Sequence, residues 1–198
     1  HSWTGNYVTC ATWDHFWLNE GWTVWFERKI KARRQGAEYL DFEAIGGYKS
    51  LVIANTNMAT EFTSLVLPIG DNDPDDAYSV VAYEKGFNFL LYLERKIGTE
   101  KFEAFFQAYI KRFASSTVDS GEFQECLLQY FASDSAALGV LQEIDWQAWL
   151  YGTGMLPSIV EYDGTIAAAA EALANEWIQV DKTGNEPPAT DIIDWSSG

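Results

Sequence analysis

Trp3, Trp13, Phe16, Trp17, Trp22, Trp25 and Phe26 all fall within the first thirty residues of this chain. Rings at that density must be buried, either in a core or along a ligand cleft. Asp14 is placed to cap a helix running to about Arg34, on which Phe16, Glu20, Thr23, Phe26, Glu27 and Ile30 trace neighbouring rows. With 198 residues, 47% of them hydrophobic, the chain can bury a sizeable core as one domain, or one domain plus part of another.

Helical periodicity continues. A second helix is expected over Tyr39 to about Met58, with Gly46-Gly47 as a weak or tightly packed point. The stretch Leu67-Pro68-Ile69-Gly70-Asp71-Asn72-Asp73-Pro74-Asp75-Asp76 has the chemistry of a loop. A long helix should follow from Ala77 to Ile97, and Thr99 should cap the next, whose body is Lys101 to Phe113. Asp119 or Ser120 caps another, and Ser133 to Trp149 reads as one or two short helices. Beyond the boundary at Tyr151 to Pro157 lies an Ala-rich helix, Ile166 to Ile178, then a polar tail with Pro187-Pro188. No alternating strand and no repeat stands out, so the fold class is mainly α.

A net charge of −16 disfavours nucleic acid and anionic lipid as partners. The basic run Arg28, Lys29, Lys31, Arg33, Arg34 falls near a helix end, where it either complements the dipole or forms a docking patch. Two cysteines, Cys10 and Cys126, make no disulfide framework. No signal peptide opens the chain and no apolar run is long enough for membrane insertion, so a soluble, cytoplasmic protein is the expectation.

Several residues could carry chemistry. Glu20, between Trp17 and Trp22, is a carboxylate among large apolar groups, which either faces water or needs a partner or a metal. Glu27 lies two helical turns on, either as an ordinary surface residue or as an outer carboxylate orienting a ligand. Tyr78 and Tyr83 follow an acidic helix start. They are either core aromatics with polar tips or phenols able to donate to an oxyanion. His15 reads as structural, and no phosphate loop or nucleophile elbow is present.

His1 and Glu20, nineteen positions apart, resemble the downstream part of a zinc-peptidase ligand set, in which a helical H-E-x-x-H precedes a later Glu. Five stretches extend the likeness in order: His-Ser-Trp-Thr-Gly-Asn at 1–6, Trp-Asp-His-Phe-Trp-Leu-Asn-Glu-Gly at 13–21, Asp-Pro-Asp-Asp-Ala-Tyr at 73–78, Tyr-Glu-Lys-Gly at 83–86 and Asp-Trp-Gln-Ala-Trp-Leu-Tyr at 145–151. Together they resemble the leukotriene A(4) hydrolase/aminopeptidase family, within the gluzincin zinc aminopeptidases. The resemblance covers residues 1–157 strongly and the Ala-rich helix weakly.

What the resemblance implies can be placed residue by residue. His1 matches the second zinc-binding His and Glu20 the third protein ligand of one Zn2+. Tyr83 matches the phenol that stabilises the tetrahedral intermediate. Asp75 and Tyr78 match substrate-pocket positions, and Glu27 matches a Glu of the same helix. The first zinc His, the base Glu and the loop that holds the substrate amine would lie upstream of residue 1. The basic carboxylate-recognition residues would lie beyond Gly198. The chain is thus expected to be a fragment, inactive by itself, of an enzyme that releases N-terminal residues of peptides, with a lipid epoxide as a further substrate class. The implied fold is the helical lobe of a thermolysin-like catalytic domain at 1–157, then a linker and the first helix of an α-helical C-terminal domain at 158–198. The rival reading is a non-catalytic α-helical scaffold or interaction module.

Overall fold

The computed structural model describes residues 1–184. A π-helical turn over Ser2–Tyr7 leads into strand β1, Val8–Cys10, and a 3-10 turn at Trp13–His15 precedes helix α1, Trp17–Gln35. Helix α2, Glu38–Asn57, is followed by a 3-10 turn at Thr60–Thr63 and the short α3, Pro74–Ala77. Helices α4, Val80–Ile97, and α5, Thr99–Arg112, run into strand β2, Ser116–Val118. Helices α6, Ser120–Tyr130, α7, Ser135–Gln142, α8, Trp146–Tyr151, and α9, Thr165–Thr183, complete the described residues. The fold class is mainly α, as the periodicity requires.

Local chemistry sets the boundaries, and four features differ from expectation. Asp14 does not cap α1: it lies within the 3-10 turn that precedes the helix, and its Oδ1 accepts the Ile69 N–H at 3.2 Å. The helix expected from Ala77 is broken at Tyr78, because Ser79 turns extended and caps α4, its hydroxyl accepting the Val81 N–H at 3.1 Å. Thr99 is the first residue of α5 and not its cap; its hydroxyl donates to Glu94 Oε1 at 2.8 Å. The two strands pair in parallel, Val8 with Ser116 and Cys10 with Val118. Three residues each are too short to impose a period of two on the sequence. Asp119 makes a full capping box with Glu122. The polar tail past Gly184, with Pro187-Pro188, lies outside the described residues.

The chain divides into two units. One comprises His1–Glu27 with Gly47–Val160, the other Arg28–Gly46 with the stretch from Glu161 onward. In the second unit Lys31 pairs with Glu43 at 3.0 Å, and the Asp163 N–H donates to Asp41 Oδ2 at 2.9 Å.

The first unit is organised around the rings of α1. Trp17, Trp22 and Trp25 are each at most 1% exposed. Trp22 stacks against Phe102 and Tyr109 and meets Trp25 and Phe123 edge-on, so α1 is bound to both α5 and α6. Against α4 the contact is backbone to backbone. A Cβ added to Gly21 would stand 2.9 Å from the Gly86 Cα and carbonyl carbon, and one added to Gly86 would stand 3.0 Å from the Gly21 Cα. Only hydrogen at both positions allows that approach. Replacing Gly21 by Ala forces the two helices apart, because no rotamer relieves a backbone clash. The expected cost is about 2 kcal/mol, read as a lowered urea midpoint with the helical circular dichroism retained.

One cation lies inside this unit. Lys85 is 0% exposed and its ammonium donates to the carbonyls of Thr63, Gly152 and Gly154 at 2.8, 2.8 and 2.9 Å. The Thr63 hydroxyl in turn accepts the Gly154 N–H at 2.7 Å. Three acceptors occupy the three N–H bonds of the ammonium, so α4 is stapled to two loops distant in sequence. Burial pushes Lys85 down to about 8, and the carbonyls are what let it stay charged at neutral pH. Lys85→Met leaves those carbonyls short of a donor and is expected to cost about 3 kcal/mol. Between about 8 and the ordinary 10.5 the folded lysine releases its proton before the unfolded one does. The unfolded chain then binds more protons, so the lysine's contribution to stability rises with pH in that window and is flat below it. Urea midpoints of wild type and Lys85→Met at pH 7 and 9.5 check both statements: the gap between them should widen at the higher pH.

Candidate active site

The Gly21–Gly86 crossing has a consequence one residue away on α1 and one turn away on α4. It brings the first turn of α1, which carries Glu20, beside the first turn of α4, which carries Tyr83. His1 reaches the same place through a set of short-range ties. Its carbonyl accepts the N–H groups of Gly5 and Asn6, both at 2.9 Å, which closes the opening turn. Thr4 then bonds Thr23 on α1, hydroxyl to hydroxyl at 2.7 Å. Asn19 Oδ1 accepts the Cys10 N–H at 2.8 Å, and this fixes β1 to the start of α1.

The result is a close pair of donor atoms. His1 Nδ1 lies 3.2 Å from Glu20 Oε2, with the carboxylate side chain 5% exposed and the imidazole 61% exposed. The approach lacks hydrogen-bonding direction, and Oε2, although buried, has no hydrogen-bond partner. Burial pushes the Glu20 carboxyl up to about 6, against the pull of the Tyr83 hydroxyl. Such an oxygen is costly to keep dry and unpaired. One exposed imidazole nitrogen beside one buried carboxylate oxygen is a pair that suits a zinc-like divalent ion. Among the described residues no group of three or more His, Cys, Asp or Glu converges as a metal site.

Tyr83 and Tyr78 meet hydroxyl to hydroxyl at 2.8 Å. Burial, then the Tyr78 hydroxyl, then the Glu20 charge all push the Tyr83 phenol above its ordinary value. It is therefore a protonated donor across the neutral range. Phe16 touches both phenols, its ring 6.0 Å from that of Tyr78 and 6.3 Å from that of Tyr83. Beside them lies an apolar cavity of about 250 Å³ lined by Trp13, Phe16, Leu67, Ile69, Pro74, Asp75 and Tyr78. Asp75 sits in the first turn of α3, where the Asp73 side chain accepts its N–H at 3.0 Å. Thus His1, Glu20, Tyr83, Tyr78 and Asp75 form one continuous group.

Glu27 stands two turns farther along α1, is exposed, and is not among the residues lining the cavity. His15 serves the scaffold: its Nδ1 is 2.9 Å from the Ser120 hydroxyl, which also accepts the Trp17 indole N–H at 2.9 Å. Sequence reasoning did not pick out Thr4, Asn19 and Thr23, which hold His1 and Glu20 in register. Their signals were indirect: Thr23 shares neighbouring helix rows with Glu20, and Thr4 and Asn19 fall inside the motif stretches at 1–6 and 13–21.

Comparison with known proteins places the chain. Leucine aminopeptidase 2 of Emericella nidulans is 45% identical over 194 residues, 97% of this chain and 31% of that protein. A leukotriene A-4 hydrolase homolog of Botryotinia fuckeliana is 44% identical over 199 residues, 100% of this chain and 30% of that protein. Native yeast LTA4 hydrolase superposes with a TM-score of 0.87 at 38% identity, covering 92% of this chain and 29% of that one, and the same enzyme has been solved in complex with bestatin. The chain thus spans just under a third of the length of these relatives. The peptidase family M1 domain matches residues 1–149. With its helical fold and these relatives, the chain belongs to peptidase family M1.

Proposed function

We propose that the whole protein containing this chain is a zinc-dependent aminopeptidase that hydrolyses N-terminal residues from peptides. The observation that carries the reading is the buried, unpaired Glu20 oxygen facing the His1 imidazole at 3.2 Å, next to a protonated phenol and an apolar cavity. The names of the relatives, leucine aminopeptidase 2 among them, agree with it.

In this reading His1 and Glu20 are two of the ligands of one Zn2+, and the remaining ligand and the general base come from outside the described residues. Zinc supplies Lewis-acid polarisation of the scissile carbonyl when bound. Tyr83 donates a hydrogen bond from its O–H to the developing oxyanion, a role that suits a phenol whose proton is held by burial and by its neighbours. Tyr78 orients that hydroxyl and, with Asp75, bounds the cavity that takes a substrate side chain. Glu27 serves as an outer carboxylate on the helix that carries Glu20. With two of the ligands and no base, the chain by itself is inactive.

Residues 1–157 then belong to the catalytic domain and 158–198 open the next. We place the protein in the cytoplasm. Cys10 and Cys126 are buried free thiols whose pKa burial raises, so they suit a reducing compartment. No helix among the described residues is long and apolar enough to cross a membrane. The apolar lining favours one further activity, hydrolysis of a lipid epoxide at the same cavity.

Two substitutions in the whole protein test the reading. Glu20→Gln should lower zinc affinity by more than the roughly 10- to 100-fold that losing an outer partner costs, measured by competition with a chelating dye, with the melting profile of the metal-free protein retained. Tyr83→Phe should lower kcat on an aminoacyl anilide by about 100- to 1000-fold while zinc content stays at one per chain. A whole protein that binds no zinc and releases no N-terminal residue would overturn the proposal and leave a helical interaction module. A lipid-epoxide assay with the same variants decides the second activity.

A further inference from the structure

Two of the cavity's walls come from segments remote in sequence, and a residue that does not line it joins them. Trp13 opens the 3-10 turn before α1 and Phe16 follows it, whereas Leu67 and Ile69 lie on an irregular stretch before α3. Asp14 accepts from both ends of that stretch. Its backbone carbonyl takes the Leu67 N–H at 2.9 Å, and its Oδ1 takes the Ile69 N–H at 3.2 Å. Pro68, between them, has no N–H to offer. The Asp14 acceptors therefore take every backbone donor in Leu67–Ile69. The Thr12 hydroxyl donates to Asp14 Oδ2 at 3.1 Å, which sets the rotation of the carboxylate. Val66 directs its N–H elsewhere, to the Leu150 carbonyl at 2.8 Å, so the stretch is held from two sides.

We propose that Asp14 is a positioning residue that fixes the width of the apolar cavity and so selects the size of the substrate side chain admitted there. This rests on the reading of the cavity as the side-chain pocket of an aminopeptidase. The Leu67 bond belongs to the backbone and survives any substitution, whereas the Ile69 bond depends on a side-chain oxygen at one position. Ile69 packs with Leu67 and Ala77 and is buried, so its wall has one placement while that bond holds. Without it, the wall between Pro68 and Gly70 is free to shift, and a cavity that fitted a branched or aromatic side chain no longer does. The requirement is for an acceptor and not for charge. Asn offers the same oxygen, and the Thr12 hydroxyl can rotate to accept from the amide.

The test uses the whole protein as wild type, Asp14→Ala and Asp14→Asn, with 4-nitroanilides of alanine, leucine and phenylalanine. In Asp14→Ala the preference for leucine and phenylalanine over alanine, taken as the ratio of kcat/KM values, should fall about 3- to 10-fold, the worth of one such hydrogen bond. The loss should lie in KM with kcat held, and Asp14→Asn should restore the ratio. Calorimetric titration with phenethylamine gives a second readout that needs no turnover, and its Kd should rise by a similar factor in Asp14→Ala alone. Equal losses on all three substrates through kcat, with phenethylamine binding unchanged, would overturn the proposal. An unchanged preference in a folded Asp14→Ala protein would do so as well. If no form cleaves any anilide, the aminopeptidase reading fails. The phenethylamine comparison then decides the role of Asp14 by itself.

Discussion

The approach of α1 to α4 at Gly21 and Gly86 sets the spacing on which the candidate site depends. Backbone contact between helices is uncommon where larger residues would fill the seam, because most helix pairs stand 8–10 Å apart on their side chains. Here both side chains are reduced to hydrogen, and the residues just before each glycine inherit the short distance. Glu20 precedes Gly21 directly, and Tyr83 lies one turn before Gly86, so a carboxylate and a phenol from different helices come near enough for each to shift the other's proton affinity. A crossing made on larger residues would leave the same two groups too far apart to act together.

Such a crossing gives little apolar burial of its own, so the neighbouring elements must supply the stability. The indole of Trp22, next to Gly21, is sandwiched between Phe102 and Tyr109, and Phe89 stacks on Trp149 with centroids 4.9 Å apart. The density of rings in the opening segment thus has a physical purpose: it anchors α1 to α5 and α6 on either side of a seam that contributes little. On α4 the same role falls to Lys85, whose three carbonyl bonds hold the loops at Thr63 and at Gly152 to Gly154 against the helix that carries Tyr83. The Tyr-Glu-Lys-Gly stretch therefore combines a phenol aimed into the site, a cation bound into the interior and a glycine at the crossing.

Much of this was legible in the sequence where the signal is local. A cap at Asp119 or Ser120, a helix from about Tyr39 and the loop rich in Pro, Gly and Asp follow from residue types at short spacing, and the structure has the cap at Asp119 and the helix start at Glu38. The candidate residues His1, Glu20, Asp75, Tyr78 and Tyr83 were reached through ordered motifs, and the structure brings them into one group. What could not be read depends on partners with no side-chain signature. The acceptors of Lys85 are backbone carbonyls from two distant loops, and those of Leu67 and Ile69 lie more than fifty residues upstream. The parallel pairing of Val8–Cys10 with Ser116–Val118 joins two triplets across most of the first unit. Ser79 was missed as a cap because the acidic run at Asp75-Asp76 reads as a helix start, and one of the two starts had to yield.

Stability by itself gives no reason for the arrangement at Glu20. A buried carboxylate oxygen without a hydrogen bond weakens the fold, and an apolar residue of the same shape there would strengthen it. The surrounding groups do little to relieve the cost. His1 stands at charge-pair distance without the direction of a hydrogen bond, and the Tyr83 hydroxyl is shared between Tyr78 and the Glu20 carboxyl while Oε2 keeps no hydrogen-bond partner. Elsewhere, buried polar groups are satisfied at Lys85 and at the Trp17–Ser120–His15 network, whereas the neutral Trp22 Nε1 and Asn55 Oδ1 share with Glu20 Oε2 the lack of a hydrogen-bond partner. An ionisable oxygen costs more to bury without a hydrogen bond than a neutral indole or amide does, and that cost is the physical ground for the proposal that Glu20 is a ligand.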